Sequence, residues 1–266
     1  MDFLKSARVL EALLVSTPIE RSVIEDLIIA NRILADQQVL DAYGDISIRH
    51  PRNPERFLMG RVLPASLVTE DDIVEYDLAA NVFGARPGFD HCTERFLHSE
   101  IYRMRPDVNA VVHSHSSAVI PFANTNIALR PMLHLTAFLS PDVPVFEIRE
   151  VAKGKTNLLV ANGKLGQSVA ETLGDNAVAL LRGHGAVIVA SSLSLAAFRA
   201  IYTDINARMQ MHAMATGEPI TFLNLDEAME ANKLLDNIHK RAWHLWKWRL
   251  QHQNVTNDSA VTHSGS

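Results

Sequence analysis

Hydrophobic positions along the chain follow two different periods. Helical spacing of apolar residues predicts helices over residues 1–14, 18–40, 93–105, 194–215 and 226–252. Alternating or continuous apolar runs predict strands over residues 45–49, 56–59, 72–77, 108–113, 143–148, 177–181 and 185–189. This order of elements predicts an α/β protein of three α/β/α layers, with helices covering a mixed, mainly antiparallel sheet.

The helix predicted over residues 93–105 has the clearest boundaries. Thr93 is a candidate N-cap, and Pro106 stops the helix. Phe96, Ile101 and Met104 share one side and are the expected core contacts.

Length and composition limit the classes of protein that fit. The 266 residues are 47% hydrophobic and 21% charged, which is enough for one domain over residues 1–253, followed by a polar tail at 254–266 that we expect to be disordered. A net charge of −5 argues against a nucleic-acid partner, and no apolar run approaches the roughly 18 residues of a membrane span. The lone Cys92 excludes an internal disulfide and is typical of a cytoplasmic protein.

Three histidines carry the strongest chemical signal. His113 and His115 are two apart at the end of a predicted strand, so both imidazoles point to one face. His184 lies between two glycines at the end of another strand and can supply a third imidazole. Three imidazoles around an open position suit a catalytic divalent cation such as Zn²⁺, Mn²⁺ or Fe²⁺.

Other polar residues allow two interpretations each. Glu94, ahead of the helix, is either a metal ligand or acid/base group, or an acid favoured by the helix dipole. Arg61 either binds a substrate carboxylate through two parallel hydrogen bonds or is a solvated loop residue. His134 is either a core residue or a proton donor in a pocket.

Taken in order, these segments resemble the class II aldolase/adducin family from about residue 19 to about residue 217. The resemblance rests on four stretches of sequence: Tyr43-Gly44-Asp45-Ile46-Ser47, Glu94 with Phe96-Leu97-His98, Pro106 through His115, and Gly183-His184-Gly185-Ala186. It implies a tetramer of α/β/α domains with active sites at subunit interfaces. It also implies that His113, His115 and His184 bind the metal and that Glu94 is the catalytic acid/base.

The departures from the family pattern bear on the substrate. The resemblance leads one to expect a hydroxyl-rich phosphate cradle, but residues 61–65 read Arg-Val-Leu-Pro-Ala and residues 91–94 read His-Cys-Thr-Glu. Asp45 stands where the family usually has asparagine, and its carboxylate would repel a phosphate. The chain is therefore more similar to the decarboxylases of hydroxylated aromatic acids, which include 3-hydroxy-2-methylpyridine-4,5-dicarboxylate decarboxylase and the dihydroxyphthalate decarboxylases.

The leading hypothesis is a metal-dependent decarboxylase of a hydroxylated aromatic or pyridine carboxylate, acting as a homotetramer on a small molecule. Glu94 or His134 would deliver the proton, and the expected substrate contacts are Asp45, Ser47, Arg61 and Ser116. The alternatives are an aldolase for a small hydroxy-carbonyl or sugar substrate, an iron-dependent oxygenase and a non-enzymatic adducin-like assembly module.

Overall fold

The computed structural model describes residues 19–84, 88 and 90–261. The helix predicted over residues 1–14 lies outside these residues. The strands are β1 Asp45–Arg49, β2 Arg56–Gly60, β3 Ile73–Asp77, β4 Val82–Phe83, β5 Ala110–Ser114, β6 Val145–Phe146, β7 Val178–Leu181 and β8 Gly185–Ala190. The α-helices are α1 Arg21–Asp36, α2 Arg95–Met104, α3 Ile120–Ala123, α4 Ile148–Ala152, α5 Gly163–Leu173, α6 Leu193–Ala215 and α7 Leu225–Val261. Short 3₁₀ helices cover Ala65–Leu67, Glu70–Asp72 and His134–Leu139.

The described strands form one sheet in the order β4-β3-β2-β1-β5-β8-β7-β6. Neighbours pair antiparallel except β6 and β7, which pair parallel. The mixed, mainly antiparallel sheet predicted from the sequence is therefore confirmed. β5 lies at the centre between β1 and β8, and its C-terminal end carries the histidine pair.

Side chains of β5 alternate between two hydrophobic cores, as the period of a strand requires. Ala110 and Val112 pack into the core under α1, α6 and α7. Val111 packs into the opposite core, under α2 and α5. His113 continues the second set, so its imidazole lies on the α2 side of the sheet.

Two parts of the predicted α2 are wrong. Thr93 does not cap the helix: in the described structure Glu94 is the N-cap residue, and it makes no side-chain capping bond because its carboxylate is used elsewhere. The buried face holds Leu97 and Ile101, whereas Met104 is exposed. The helix α2 packs on both the sheet and α5, so it buries a broader face than one apolar stripe. Its contact with α5 is close, because a Cβ on Gly166 would lie 2.3 Å from the carbonyl oxygen of Phe96.

Two other boundaries also differ from prediction. The strand expected over residues 143–148 is reduced to β6, because Glu147 caps the short helix α4 by accepting the N–H of Arg149. The last helix extends through Val261, into the tail expected to be disordered, because no glycine or proline interrupts residues 225–261. Among the described residues, no helix has the length and apolar character needed to cross a bilayer.

Candidate metal centre

The three predicted histidines meet at one end of the sheet. His113 lies on β5, His115 follows the strand, and His184 lies in the hairpin between β7 and β8. Gly183 adopts φ +69°, which turns the hairpin, and a Cβ on Gly185 would lie 2.0 Å from the carbonyl oxygen of Ser114. The glycines on either side of His184 therefore let this hairpin press directly against the end of β5.

The imidazoles converge through their Nε2 atoms. His113 Nε2 lies 3.0 Å from His115 Nε2. The ring centroids of His113, His115 and His184 are 4.8 Å apart in every pair. The spacing of two along the chain and the separate hairpin thus bring the three rings to one point, as predicted.

Glu94 completes the cluster from the start of α2. Its Oε2 atom lies 3.1 Å from His113 Nε2 and 3.4 Å from His184 Nε2. Its Oε1 atom accepts the backbone N–H of Val160 at 3.0 Å. The carboxylate is buried and held from behind, so only Oε2 faces the histidines.

This donor set fits a divalent cation. The four ligand atoms lie within 4.8 Å of one another, and ligands bound at about 2.1 Å lie roughly 3 Å apart. His113 Nδ1 donates to the carbonyl oxygen of Ala186 at 3.1 Å, which leaves Nε2 as the metal-binding atom. His184 Nε2 is buried and makes no hydrogen bond within the described residues, as expected for an atom awaiting a ligand.

The close contacts within the cluster shift the pKa values of its members. Burial alone would raise the pKa of Glu94, but the neighbouring imidazoles of His113 and His184 outweigh it and lower this pKa far below its usual value. Burial opposes protonation of His113, yet the nearby Glu94 carboxylate raises the pKa of His113 to about 9. Burial and the two neighbouring imidazoles lower the pKa of His115 to about 4. These opposite shifts are those of a carboxylate and an imidazole that stabilise each other's charge.

A second polar network adjoins the metal centre. Asp45 pairs with His113 across β1 and β5, which places the two side chains next to each other on one face. Its Oδ1 accepts from His98 Nε2 at 2.7 Å, and its Oδ2 accepts from Cys92 Sγ at 3.2 Å. Burial would raise the pKa of Asp45, but the His98 contact outweighs it and lowers this pKa, so the carboxylate is ionised.

Arg61 follows the end of β2 on the same side of the sheet as the start of β1. β1 and β2 pair from Arg49 opposite Phe57 to Ser47 opposite Met59, so Asp45 and Arg61 both lie just beyond the paired residues. Arg61 Nε donates to Asp72 Oδ1 at 2.7 Å, so this guanidinium is already bound on one edge by a carboxylate. Arg61, Asp45 and His113 thus belong to the same end of three neighbouring strands.

Three of the predicted site residues lie elsewhere. Ser47 is fully buried beneath α2, because it is two residues deeper on β1 than Asp45, and it does not reach the substrate side. Ser116 turns away and donates to Asp204 Oδ1 at 2.6 Å. His134 is exposed at the start of its 3₁₀ helix, which packs against α6 and α7, so one chain does not bring it to the cluster. Within one chain these three residues therefore lie apart from the cluster, and their roles stay predictions.

Other residues of the site were not predicted from the sequence. The sequence patterns described above predict no role in the site for His98, Tyr102 or Cys92. A usable signal existed, because Glu94, His98 and Tyr102 are four apart on α2 and therefore lie on one helix face. A buried face that carries three polar groups at this spacing indicates a site.

The part of the chain that holds these residues matches a known protein family. Residues 25–211 match the Class II Aldolase and Adducin N-terminal domain. This stretch contains Glu94, Asp45 and all three histidines of the metal centre.

Similar proteins have also been characterised or solved. The chain is 38% identical to decarboxylase tropJ of Talaromyces stipitatus over 238 residues, covering 80% of this chain and 88% of that protein. It is 29% identical to 3,4-dihydroxyphthalate decarboxylase of Arthrobacter keyseri, covering 73% of this chain and 79% of that protein. The structure of L-fuculose 1-phosphate aldolase from Glaciozyma antarctica superposes with a TM-score of 0.72 at 20% identity, covering 91% of this chain and 97% of that one.

Proposed function

The chain belongs to the class II aldolase and adducin family, and from this premise we propose that it is a divalent-metal-dependent carbon–carbon lyase that decarboxylates a hydroxylated aromatic or pyridine carboxylate. One observation carries the proposal: three imidazole Nε2 atoms and one carboxylate oxygen converge on a single point beside an ionised aspartate. A cation bound there would act as a Lewis acid on substrate oxygen atoms and would orient the substrate.

Glu94 is the residue placed to move the proton. Its Oε1 is fixed by the N–H of Val160, so the reactive atom is Oε2. Glu94 Oε2 would accept the proton of the hydroxyl next to the departing carboxylate, a hydroxyl that a bound cation would acidify. The bond to CO₂ then breaks, its electron pair remains on the ring carbon, and Glu94 returns the proton to that carbon. The products are CO₂ and the phenolate.

Asp45 favours this substrate over a sugar phosphate. An ionised carboxylate next to the metal centre repels a dianionic phosphate more strongly than it repels a hydroxyl group or a singly charged carboxylate. Arg61, one strand further, would anchor a second carboxylate of the substrate through its guanidinium. The two relatives named as decarboxylases support the same choice.

Assembly and location remain predictions from the sequence. We propose a homotetramer, in line with the family resemblance. The cytoplasmic location rests on the single cysteine, Cys92. The identity of the cation among Zn²⁺, Mn²⁺ and Fe²⁺ is likewise open to metal analysis, because imidazole and carboxylate ligands suit all three.

The decisive experiment loads the purified protein with each cation in turn and measures CO₂ released from a panel of ortho-hydroxy aromatic and pyridine mono- and dicarboxylates. We expect turnover with at least one acid, lost in His113→Ala and kept in His212→Ala, which alters an exposed histidine. No CO₂ from any acid would contradict the proposal. Cleavage of L-fuculose 1-phosphate would then indicate an aldolase, O₂ uptake with Fe²⁺ an oxygenase, and absence of bound metal an assembly module.

A further inference from the structure

A buried series of hydrogen-bonded side chains runs from Tyr102 through Ser47 and His98 and ends at Asp45, beside the metal centre. We propose that His98 is a positioning residue that holds Asp45 as a hydrogen-bond acceptor for a second proton donor on the substrate, a hydroxyl or a ring N–H. The inference rests on the proposed function and narrows its substrate class. It predicts selection for acids with a further donor beyond the hydroxyl next to the departing carboxylate.

The contacts on the two edges of the His98 ring hold it in one orientation. His98 Nε2 lies 2.7 Å from Asp45 Oδ1, and because a carboxyl group is a stronger acid than an imidazolium, the proton stays on His98 Nε2, which donates to Asp45. On the other edge, His98 Nδ1 lies 2.7 Å from Ser47 Oγ, which in turn lies 2.8 Å from the Tyr102 hydroxyl oxygen. Ser47 and Tyr102 therefore fix the ring orientation that turns Nε2 toward Asp45.

The side chains of this series are buried from solvent except at Asp45. His98 and Ser47 have no exposed surface, and Tyr102 has 1%. The side chain of Asp45 retains 18% exposure. A row of buried groups with only its terminal carboxylate exposed serves to present that carboxylate.

Asp45 has acceptor capacity left for a ligand. Each carboxylate oxygen has room for about two hydrogen bonds, and His98 and Cys92 each use one position. Because Asp45 lies directly opposite His113, a molecule held at the metal centre brings its neighbouring substituents to this carboxylate. A hydroxyl there gains a charge-assisted hydrogen bond, whereas a C–H leaves the remaining acceptor positions of the carboxylate unfilled.

The test measures binding rather than turnover. Protein loaded with Co²⁺ is titrated with 2,3-dihydroxybenzoate and with 2-hydroxybenzoate, and dissociation constants are taken from the visible absorption of the cobalt. The two acids differ by one hydroxyl. We expect wild type to bind the dihydroxy acid at least about tenfold more tightly, the usual value of one hydrogen bond to a charged group.

Two substitutions at His98 separate positioning from structure. His98→Phe removes the donor and should bring the ratio of the two affinities close to one, while Co²⁺ still binds. His98→Gln keeps an N–H toward Asp45 and an oxygen toward Ser47, and should restore most of the ratio. Asp45→Asn should also reduce the ratio. A purely structural role would weaken the binding of both acids equally and leave the ratio unchanged.

The inference is overturned if wild type does not distinguish the two acids, if neither acid alters the cobalt spectrum, or if His98→Phe retains the wild-type ratio. Failure of the proposed function gives a different result. In that case the dihydroxy acid is still preferred and the preference still depends on His98, but no acid of the wider panel releases CO₂.

Discussion

Oε2 of Glu94 lies 3.1 Å from Nε2 of His113, although the two residues belong to elements joined end to end. Glu94 precedes α2 and His113 is near the end of β5, so the helix must run back across the strand for them to meet. Pro106 and the short turn after α2 allow this reversal. The metal centre therefore depends on how α2 packs on the sheet as well as on the histidines themselves.

Metal binding should stabilise the fold. With free cation at about 100 times its dissociation constant, we expect roughly 2.7 kcal/mol of added stability over protein treated with a chelator. His184→Ala removes one of the three imidazoles, so it should weaken metal binding and reduce this difference. Because His184 Nε2 makes no hydrogen bond within the described residues, the substitution costs the fold no hydrogen bond of that atom. The measurement is thermal unfolding with and without chelator, alongside metal analysis. His212→Ala is the control, and an undiminished difference in His184→Ala would contradict the assignment.

Glu94→Gln should separate proton transfer from metal binding. The amide oxygen can still accept the N–H of Val160, and three imidazoles remain for the cation, so the protein should fold and retain metal. The amide cannot carry a proton, so kcat should fall by about 10²- to 10⁴-fold with an active substrate. Glu218→Gln, at an exposed position, should match wild type. Full activity of Glu94→Gln would exclude Glu94 as the acid/base.

Gly185→Ala should damage the hairpin that carries His184. The added Cβ would lie 2.0 Å from the carbonyl oxygen of Ser114, and backbone cannot move aside as a side chain would. We expect a loss of about 3 kcal/mol or more in the free energy of unfolding, together with weaker metal binding. Gly60→Ala is the matched control, because its Cβ would first meet Val68 at an ordinary 3.4 Å. Urea unfolding compares the two, and equal stability would contradict the close packing.

The meeting of the three histidines could be predicted because each depends on local sequence. The separation of two between His113 and His115 fixes a common strand face, and the glycines around His184 indicate a tight approach. Strand positions were also predicted well, since alternation is a local property. Convergence at one point was confirmed by the topology, which places β5 next to β8.

The predicted substrate contacts that lie apart from the cluster are those whose surroundings depend on tertiary packing. Ser47 shares a strand face with Asp45, but only the position of α2 decides that one is covered and the other open. Ser116 is small and polar, and its hydroxyl donates to Asp204 on α6, a contact that only the packing of α6 creates. The role of His98 likewise follows from its partners and not from its neighbours in the sequence.

Asp72 should give the protein part of its acid sensitivity. It accepts from Thr69 Oγ1 at 2.6 Å and from Arg61 Nε at 2.7 Å. Burial would raise its pKa, but these hydrogen bonds outweigh it and lower the pKa of Asp72. A carboxyl whose pKa is lowered on folding stabilises the fold above about pH 4, and this contribution fades as the pH falls through the folded-state value.

The variant Asp72→Asn tests this linkage. Metal-free variant should be less stable than wild type by about 1.5–3 kcal/mol near neutral pH, the value of hydrogen bonds to a charged group. The difference should shrink as the pH is lowered toward the folded-state pKa of Asp72. Urea unfolding at a series of pH values measures it, with the exposed Asp226→Asn as control. A difference that stays constant into acid would show that Asp72 is not the group responsible.

Asp45→Asn should admit the anion that the wild-type site rejects. The substitution removes the charge next to His113 while keeping an oxygen that can accept from His98, so the network survives and the repulsion disappears. Inorganic phosphate and L-fuculose 1-phosphate should therefore inhibit the variant at concentrations about tenfold lower than those needed for wild type, a change of roughly 1.4 kcal/mol. Asp226→Asn, which removes a charge far along the chain, should leave inhibition unchanged. If Asp45→Asn and wild type bind phosphate equally, the carboxylate does not set the choice of substrate, and the preference for carboxylates must come from the loop at Arg61 instead.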